Sequence, residues 1–107
     1  MLEATSYSDL QKKVSNSDWI LLYYSASWCG PCISYSPIVE TVGDAYKQVL
    51  TTLKVDVEQV PESAGELQIR AVPTLVLLNN GKLVDTAIGA QTQLQVKQWL
   101  NNHVLSH

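Results

Sequence analysis

Trp28-Cys29-Gly30-Pro31-Cys32 holds both cysteines of this 107-residue chain. It follows an apolar run, Trp19 to Tyr24, and precedes a long stretch of helical periodicity. Two cysteines at i and i+3 on a first helical turn share a face, with Cβ atoms about 5–6 Å apart. A disulfide needs about 3.8 Å, so a small tightening of the turn closes the bond and a small relaxation opens it. Such a pair at a strand-to-helix junction points to electron exchange with disulfides of other proteins.

Working outward, Trp19-Ile20-Leu21-Leu22-Tyr23-Tyr24 is continuous and apolar, as befits a central strand covered on both faces. From Cys32 onward, Ile38, Val42, Ala45 and Val49 keep helical spacing, so the sequence predicts a helix to about Val49, kinked at Pro37. Upstream, Met1 to Thr5 reads as a short edge strand. Ser6 is an N-cap with Asp9 three residues on, opening a short helix marked by Tyr7, Leu10 and Val14 and ending near Ser15 to Asp18. Downstream, Thr51 to Val57 alternates, with Leu53, Val55 and Val57 on one face and Thr52, Lys54 and Asp56 on the other. Pro61 to Leu67 forms a short helix opened by proline, and Pro73 to Leu78 a second apolar strand. Asn80-Gly81 is a hairpin turn into Leu83 to Ile88. After Gly89, Val96, Trp99, Leu100, His103 and Val104 mark a last helix.

The order β-α-β-α-β-α-β-β-α predicts a single α/β domain over residues 1–107: a central mixed sheet with helices on both faces. The cysteines then sit at the C-terminal edge of the central strand, where such folds place their sites.

Composition narrows the partners. Hydrophobic content of 46%, charged content of 16% and a net charge of −3 describe a soluble globular chain, and argue against nucleic acid or anionic membrane as the main partner. No run approaches the ~18 apolar residues of a membrane span. Met1 to Ser6 lacks the basic and apolar regions of a secretory signal, so a cytoplasmic setting is expected. In a reducing compartment one cysteine pair is catalytic or metal-binding rather than structural. His103 and His107 do supply a formal H-x-x-x-H, but about 70 residues away, far beyond zinc-finger spacing, so no metal site is expected.

Beyond the pentapeptide, Pro37, Lys54-Val55-Asp56, Ile69-Arg70-Ala71-Val72-Pro73-Thr74, Asn80-Gly81 and Gly89-Ala90 carry a family resemblance. The chain resembles thioredoxins over nearly its whole length, almost without gaps after Trp19. The resemblance implies the thioredoxin fold, a cis Val72–Pro73 peptide bond against the cysteines, and a substrate groove formed by Trp28, Val72, Pro73, Gly89 and Ala90. It also implies a monomeric protein-disulfide reductase with no bound cofactor. Its partners would be disulfide-containing client proteins and a flavoprotein thioredoxin reductase that passes on electrons from NADPH.

Within that frame the thiolate is the attacking species. Cys29, at the N-terminus of the long helix, is the expected nucleophile, because unpaired N–H groups and the helix dipole favour negative charge there. Cys32, one turn further in and expected to be more buried, is the resolving thiol. Gly30 leaves room for a partner's backbone, Pro31 stiffens the turn, and Trp28 is a partly exposed wall. Trp19 and Trp99 are assigned to the core.

Three positions depart from the family. Tyr23 stands where thioredoxins usually bury an aspartate, Ser25 replaces a tryptophan, and Ile33 an often basic residue. Tyrosine is a poor base at neutral pH, so Tyr23 is expected either to pack with its hydroxyl bonded or to tune the pair. Without a buried carboxylate the thiol pKa values fall and the pair becomes more oxidising, with Lys54 helping or simply reaching solvent. Two alternatives to a reductase follow: a more oxidising thiol oxidase or isomerase, and a partner-binding module with secondary redox activity.

Overall fold

The computed structural model describes residues 1–104. They form β1 (Leu2–Glu3), α1 (Tyr7–Ser15), β2 (Trp19–Ser25), α2 (Gly30–Ala45), β3 (Thr51–Asp56), α3 (Pro61–Glu66), β4 (Thr74–Asn79), β5 (Lys82–Ile88) and α4 (Gln93–Val104). The strands lie in the order β1-β3-β2-β4-β5. β1 and β2 both run parallel to β3, β4 runs antiparallel to β2, and β5 antiparallel to β4. The expected mixed α/β sheet is therefore present, with β2 at its centre.

Local chemistry accounts for the boundaries. The Ser6 side chain accepts from the Asp9 N–H at 3.1 Å and the Asp9 carboxylate from the Thr5 N–H at 2.9 Å, starting α1. Asn80 and Gly81 take φ of 51° and 80°, the left-handed pair that a two-residue hairpin demands. Thr92 and Gln95 bond reciprocally at 3.1 and 2.9 Å, a capping box that opens α4.

β2 alternates between two cores. Leu21 and Tyr23 face α2 and α4, in a cluster with Tyr35, Val39, Val42, Leu75, Val96 and Leu100. Ile20, Leu22 and Tyr24 join Leu10, Leu53, Val55, Val60 and Val76 on the face of α1 and α3. Each fully buried side chain of this size contributes roughly 1.5–3 kcal/mol, which is why a strand covered on both sides is apolar throughout.

Two sequence-based expectations need correction. The cysteine helix ends at Ala45, not Val49, and both of those residues are exposed. Its buried stripe is Cys32, Tyr35, Val39 and Val42. Beyond Ala45 the chain tightens into turns, in which the Lys47 N–H bonds the Asp44 carbonyl at 3.4 Å and the Val49 and Leu50 N–H groups both return to the Tyr46 carbonyl at 2.9 Å, while the Tyr46 hydroxyl bonds Asn101 on α4 at 2.5 Å. That turn brings Leu50 into the core and aims the chain at β3. Second, His103 is no plain member of an apolar stripe. Its Nε2 meets the Asp85 carboxylate at 2.9 Å, beside the Trp99 Nε1–H bond to the same oxygen at 2.9 Å. The Trp99 bond foremost, then the Thr86 N–H and His103, hold the Asp85 carboxyl below the usual range against the opposing effect of burial. Trp19 and Trp99 pack against the core only partly buried, and α2 continues through Pro37.

Candidate active site

The end of β2 delivers Ser25 and Ala26 to a tight turn in which the Cys29 N–H bonds the Ala26 carbonyl at 3.2 Å. Cys29 is the N-cap of α2, and its sulfur accepts from the Cys32 N–H at 3.2 Å. Pro31 occupies the first turn, where its missing N–H costs nothing. Cys29 and Cys32 are joined as a disulfide with Cα atoms 5.4 Å apart. An orphan helix donor aimed at one sulfur, with the dipole behind it, favours negative charge on Cys29 over Cys32 once the bond is reduced.

Burial does not separate the two cysteines as the sequence suggested. Both are 4% exposed, because Ala26, Val57 and Val72 close over the pair together. The asymmetry is one of hydrogen bonding at the helix end. Gly30 is open: a Cβ there would meet no atom of the described residues within 4 Å, so the molecule's own packing does not require glycine.

Of the residues expected in a groove, Trp28 is 68% exposed. It lines a cavity of about 110 Å³ with Val57, Ile69, Arg70, Ala71 and Val72. The Val72–Pro73 peptide bond is cis. Pro73 itself is buried, and its carbonyl accepts from the Gly89 N–H at 2.9 Å, which brings the end of β5 beside it. Gly89 takes φ of 90°, a conformation suited to glycine, and Ala90 is exposed next to it. Ile33, 76% exposed, extends the apolar rim on the other side of the cysteines.

Behind the disulfide Tyr23 is fully buried. Its hydroxyl donates to the Cys32 carbonyl at 3.3 Å and pairs with the Ser36 hydroxyl at 2.8 Å, and its ring meets Tyr35 edge-on at 5.9 Å. Burial raises its pKa, with the Ser36 bond opposing. Tyr23 is thus a packed, hydrogen-bonded buttress under the first turn of α2. Parallel pairing sets Tyr23 beside Lys54 and Ser25 beside Asp56. Lys54, Asp56 and Ser36 share with both cysteines a cavity of about 250 Å³. Ser36 and Asp56 were not singled out as site residues. Ser36 lies one helical turn after Cys32, a spacing that would have flagged it, whereas Asp56 arrives only through sheet pairing.

Among the described residues no group of three His, Cys, Asp or Glu could hold a metal ion, and no helix is long and apolar enough to cross a membrane. His107, half of the formal H-x-x-x-H, lies outside the described residues.

Comparison with known proteins agrees with this geometry. The thioredoxin family model matches residues 2–102. Thioredoxins of Porphyra purpurea and Chlorobaculum thiosulfatiphilum are 32% and 33% identical, covering 95% of this chain and 95% and 94% of their own. The solved structure of a Plasmodium falciparum thioredoxin superposes with a TM-score of 0.89 at 29% identity, over 96% of this chain and 99% of that one. That of Fasciola hepatica gives 0.87 at 30%, over the same shares. With a cysteine pair closed at a helix N-terminus and relatives matched from end to end, this chain belongs to the thioredoxin family of thiol–disulfide oxidoreductases.

Proposed function

We propose that the protein reduces disulfides of client proteins by dithiol–disulfide exchange, Cys29 attacking and Cys32 resolving. The observation that carries this assignment is the Cys32 N–H bond to the Cys29 sulfur, 3.2 Å, at the start of a 16-residue helix. The Cys29 thiolate attacks one client sulfur and expels the other, leaving a mixed disulfide. Cys32 then attacks the Cys29 sulfur, closes the internal disulfide and releases the reduced client. Trp28, Val72, Pro73, Gly89 and Ala90 line the client's approach, and Gly30 leaves space for its backbone. The spent disulfide is reopened with electrons from NADPH through a flavoprotein thioredoxin reductase, so the chain itself works without a bound cofactor. The setting is the reducing cytoplasm, and the working unit a monomer.

Trapping tests the roles. Cys32→Ser is expected to accumulate client mixed disulfides through Cys29, which dithiothreitol releases, whereas Cys29→Ser traps far less. Equal trapping through Cys32 in the Cys29→Ser variant would erase the assignment, and stronger trapping would reverse it. Tyr23 favours a second reading, with the same chemistry run in the oxidising direction. The side chain from β2 under Cys32 is a neutral tyrosine rather than a carboxylate, so it adds no charge against the thiolate, and a stabilised dithiol makes the disulfide a stronger oxidant.

A further inference from the structure

The resolving step needs the Cys32 proton removed, and Tyr23 is badly suited to take it. Its hydroxyl is engaged by the Cys32 carbonyl and Ser36, and burial strengthens its hold on its own proton. On the same side of the sheet, however, Cys32 lines a cavity of about 250 Å³ together with Ser36, Lys54 and Asp56. A water occupies about 30 Å³ of liquid, so several fit there. Asp56 is the sole carboxylate in this lining. Its Oδ1 is fixed by the N–H groups of Glu58 and Gln59 at 2.8 and 3.3 Å, while Oδ2 has no protein partner among the described residues. Lys54, two residues earlier on the same face of β3, is not in an ion pair with it; the ion pairs among the described residues are Met1–Glu40, Lys13–Asp9 and His103–Asp85.

From this arrangement, and resting on the functional reading above, we infer that Asp56 accepts the Cys32 proton through cavity water during resolution. In the mixed disulfide the Cys32 S–H proton passes along water to Asp56 Oδ2. The resulting thiolate attacks the Cys29 sulfur. The Cys29–Cys32 bond forms and the bond from Cys29 to the client sulfur breaks. That sulfur leaves as a thiolate carrying the bonding electron pair and takes a proton from solvent. The two protein thiols lose two electrons and the client disulfide gains them. Asp56 then returns its proton through the cavity mouth. The charged and titratable groups around Cys32 are Tyr23 from β2, Lys54 and Asp56 from β3, and Cys29 and Tyr35 from α2; Arg70 lies beyond, on the Trp28 side.

The sign of the effect separates a base from a bystander charge. By field alone, removing a nearby carboxylate lowers a thiol's pKa and speeds its reaction near neutrality. Removing a proton acceptor slows it. Asp56→Asn keeps an oxygen for the Glu58 and Gln59 N–H groups. The reduced protein mixed with 5,5′-dithiobis(2-nitrobenzoate) releases one thionitrobenzoate when Cys29 attacks and a second when Cys32 resolves. In Asp56→Asn the second phase is expected to slow at least about 10-fold at pH 7, the first staying within about twofold. Asp56→Glu, which restores a carboxylate to the cavity, is expected to recover part of the second phase. A normal first phase with an unchanged or faster second phase in Asp56→Asn would overturn the role of Asp56 alone. A wild-type protein whose Cys29 forms no mixed disulfide would overturn the functional reading and, with it, this one.

Discussion

Tyr23 and Tyr24 are neighbours on the central strand, both fully buried, yet they serve opposite sides of the molecule. Tyr24 points to the face of α1 and α3, where its hydroxyl pairs with Ser63 at 2.6 Å. Tyr23 points to the face of α2 and α4, where its hydroxyl reaches the Cys32 carbonyl and Ser36. One tyrosine ties a short helix to the sheet, and the other supports the turn that carries the sulfurs. Burial is therefore a poor guide to duty, and the partner of the polar end decides it. The same contrast recurs along α2. At Gly43 the helix presses on Thr52 of β3, such that a Cβ would lie 2.6 Å from the threonine hydroxyl oxygen. Toward Cys32 and Ser36 the two elements part to leave the cavity beside Lys54 and Asp56.

The largest effect is expected from placing a carboxylate under each face in turn. Tyr23→Asp and Tyr24→Asp should each lower stability at pH 7 by about 4 kcal/mol, since burial raises a carboxyl pKa by about 3 units at 1.4 kcal/mol each. The sign follows from linkage: with the folded pKa raised, stability is intact below the unfolded pKa near 4 and is lost as pH rises through the folded value. Only Tyr23→Asp is expected to shift the equilibrium with glutathione toward a more reducing pair. Urea denaturation from pH 4 to 8 and redox titration check both, and equal redox shifts in the two variants would erase the contrast between the faces.

A smaller effect separates the two ends of α2. Gly43→Ala gains about 1 kcal/mol of helix propensity but overpacks against Thr52 at a cost of about 1–3 kcal/mol. A net loss of about 1 kcal/mol is expected, recovered in Gly43→Ala/Thr52→Ala, where the obstructing hydroxyl and methyl are gone. Stability equal to wild type in the single variant would mean that the helix is not pinned there.

Hydroxyl deletions come last. Tyr24→Phe leaves Ser63 without its partner and should cost about 1 kcal/mol, whereas Tyr35→Phe should be nearly neutral, because the Tyr35 hydroxyl is buried without a hydrogen bond among the described residues. Burial pushes both tyrosines up to about 12. Their neutral forms stabilise the fold fully below the unfolded pKa near 10, and that contribution is lost as pH rises from about 10 to about 12. Each Phe variant should therefore flatten the alkaline limb of the stability profile, measurable by denaturation between pH 9 and 12.

What the sequence determined by itself was local. The apolar run Trp19 to Tyr24, the alternation from Thr51, the Asn80-Gly81 turn and the Ser6 cap each state their structure within a few residues, because backbone geometry and side-chain periodicity act over that range. The position of Cys29 at a helix N-terminus is of the same kind. Tertiary structure decided what meets across the chain. α2 ends four residues before its apolar spacing does, and the turn that follows ties Tyr46 to Asn101 on α4, a contact invisible to a periodicity argument. The equal burial of the two cysteines depends on Val57 and Val72, brought over them from other elements. Above all, the register of β2 on β3 sets Lys54 and Asp56 beside Tyr23 and Ser25, and so beside Cys32. A register is chosen by the burial of whole faces at once, so no single stretch of the chain announces it.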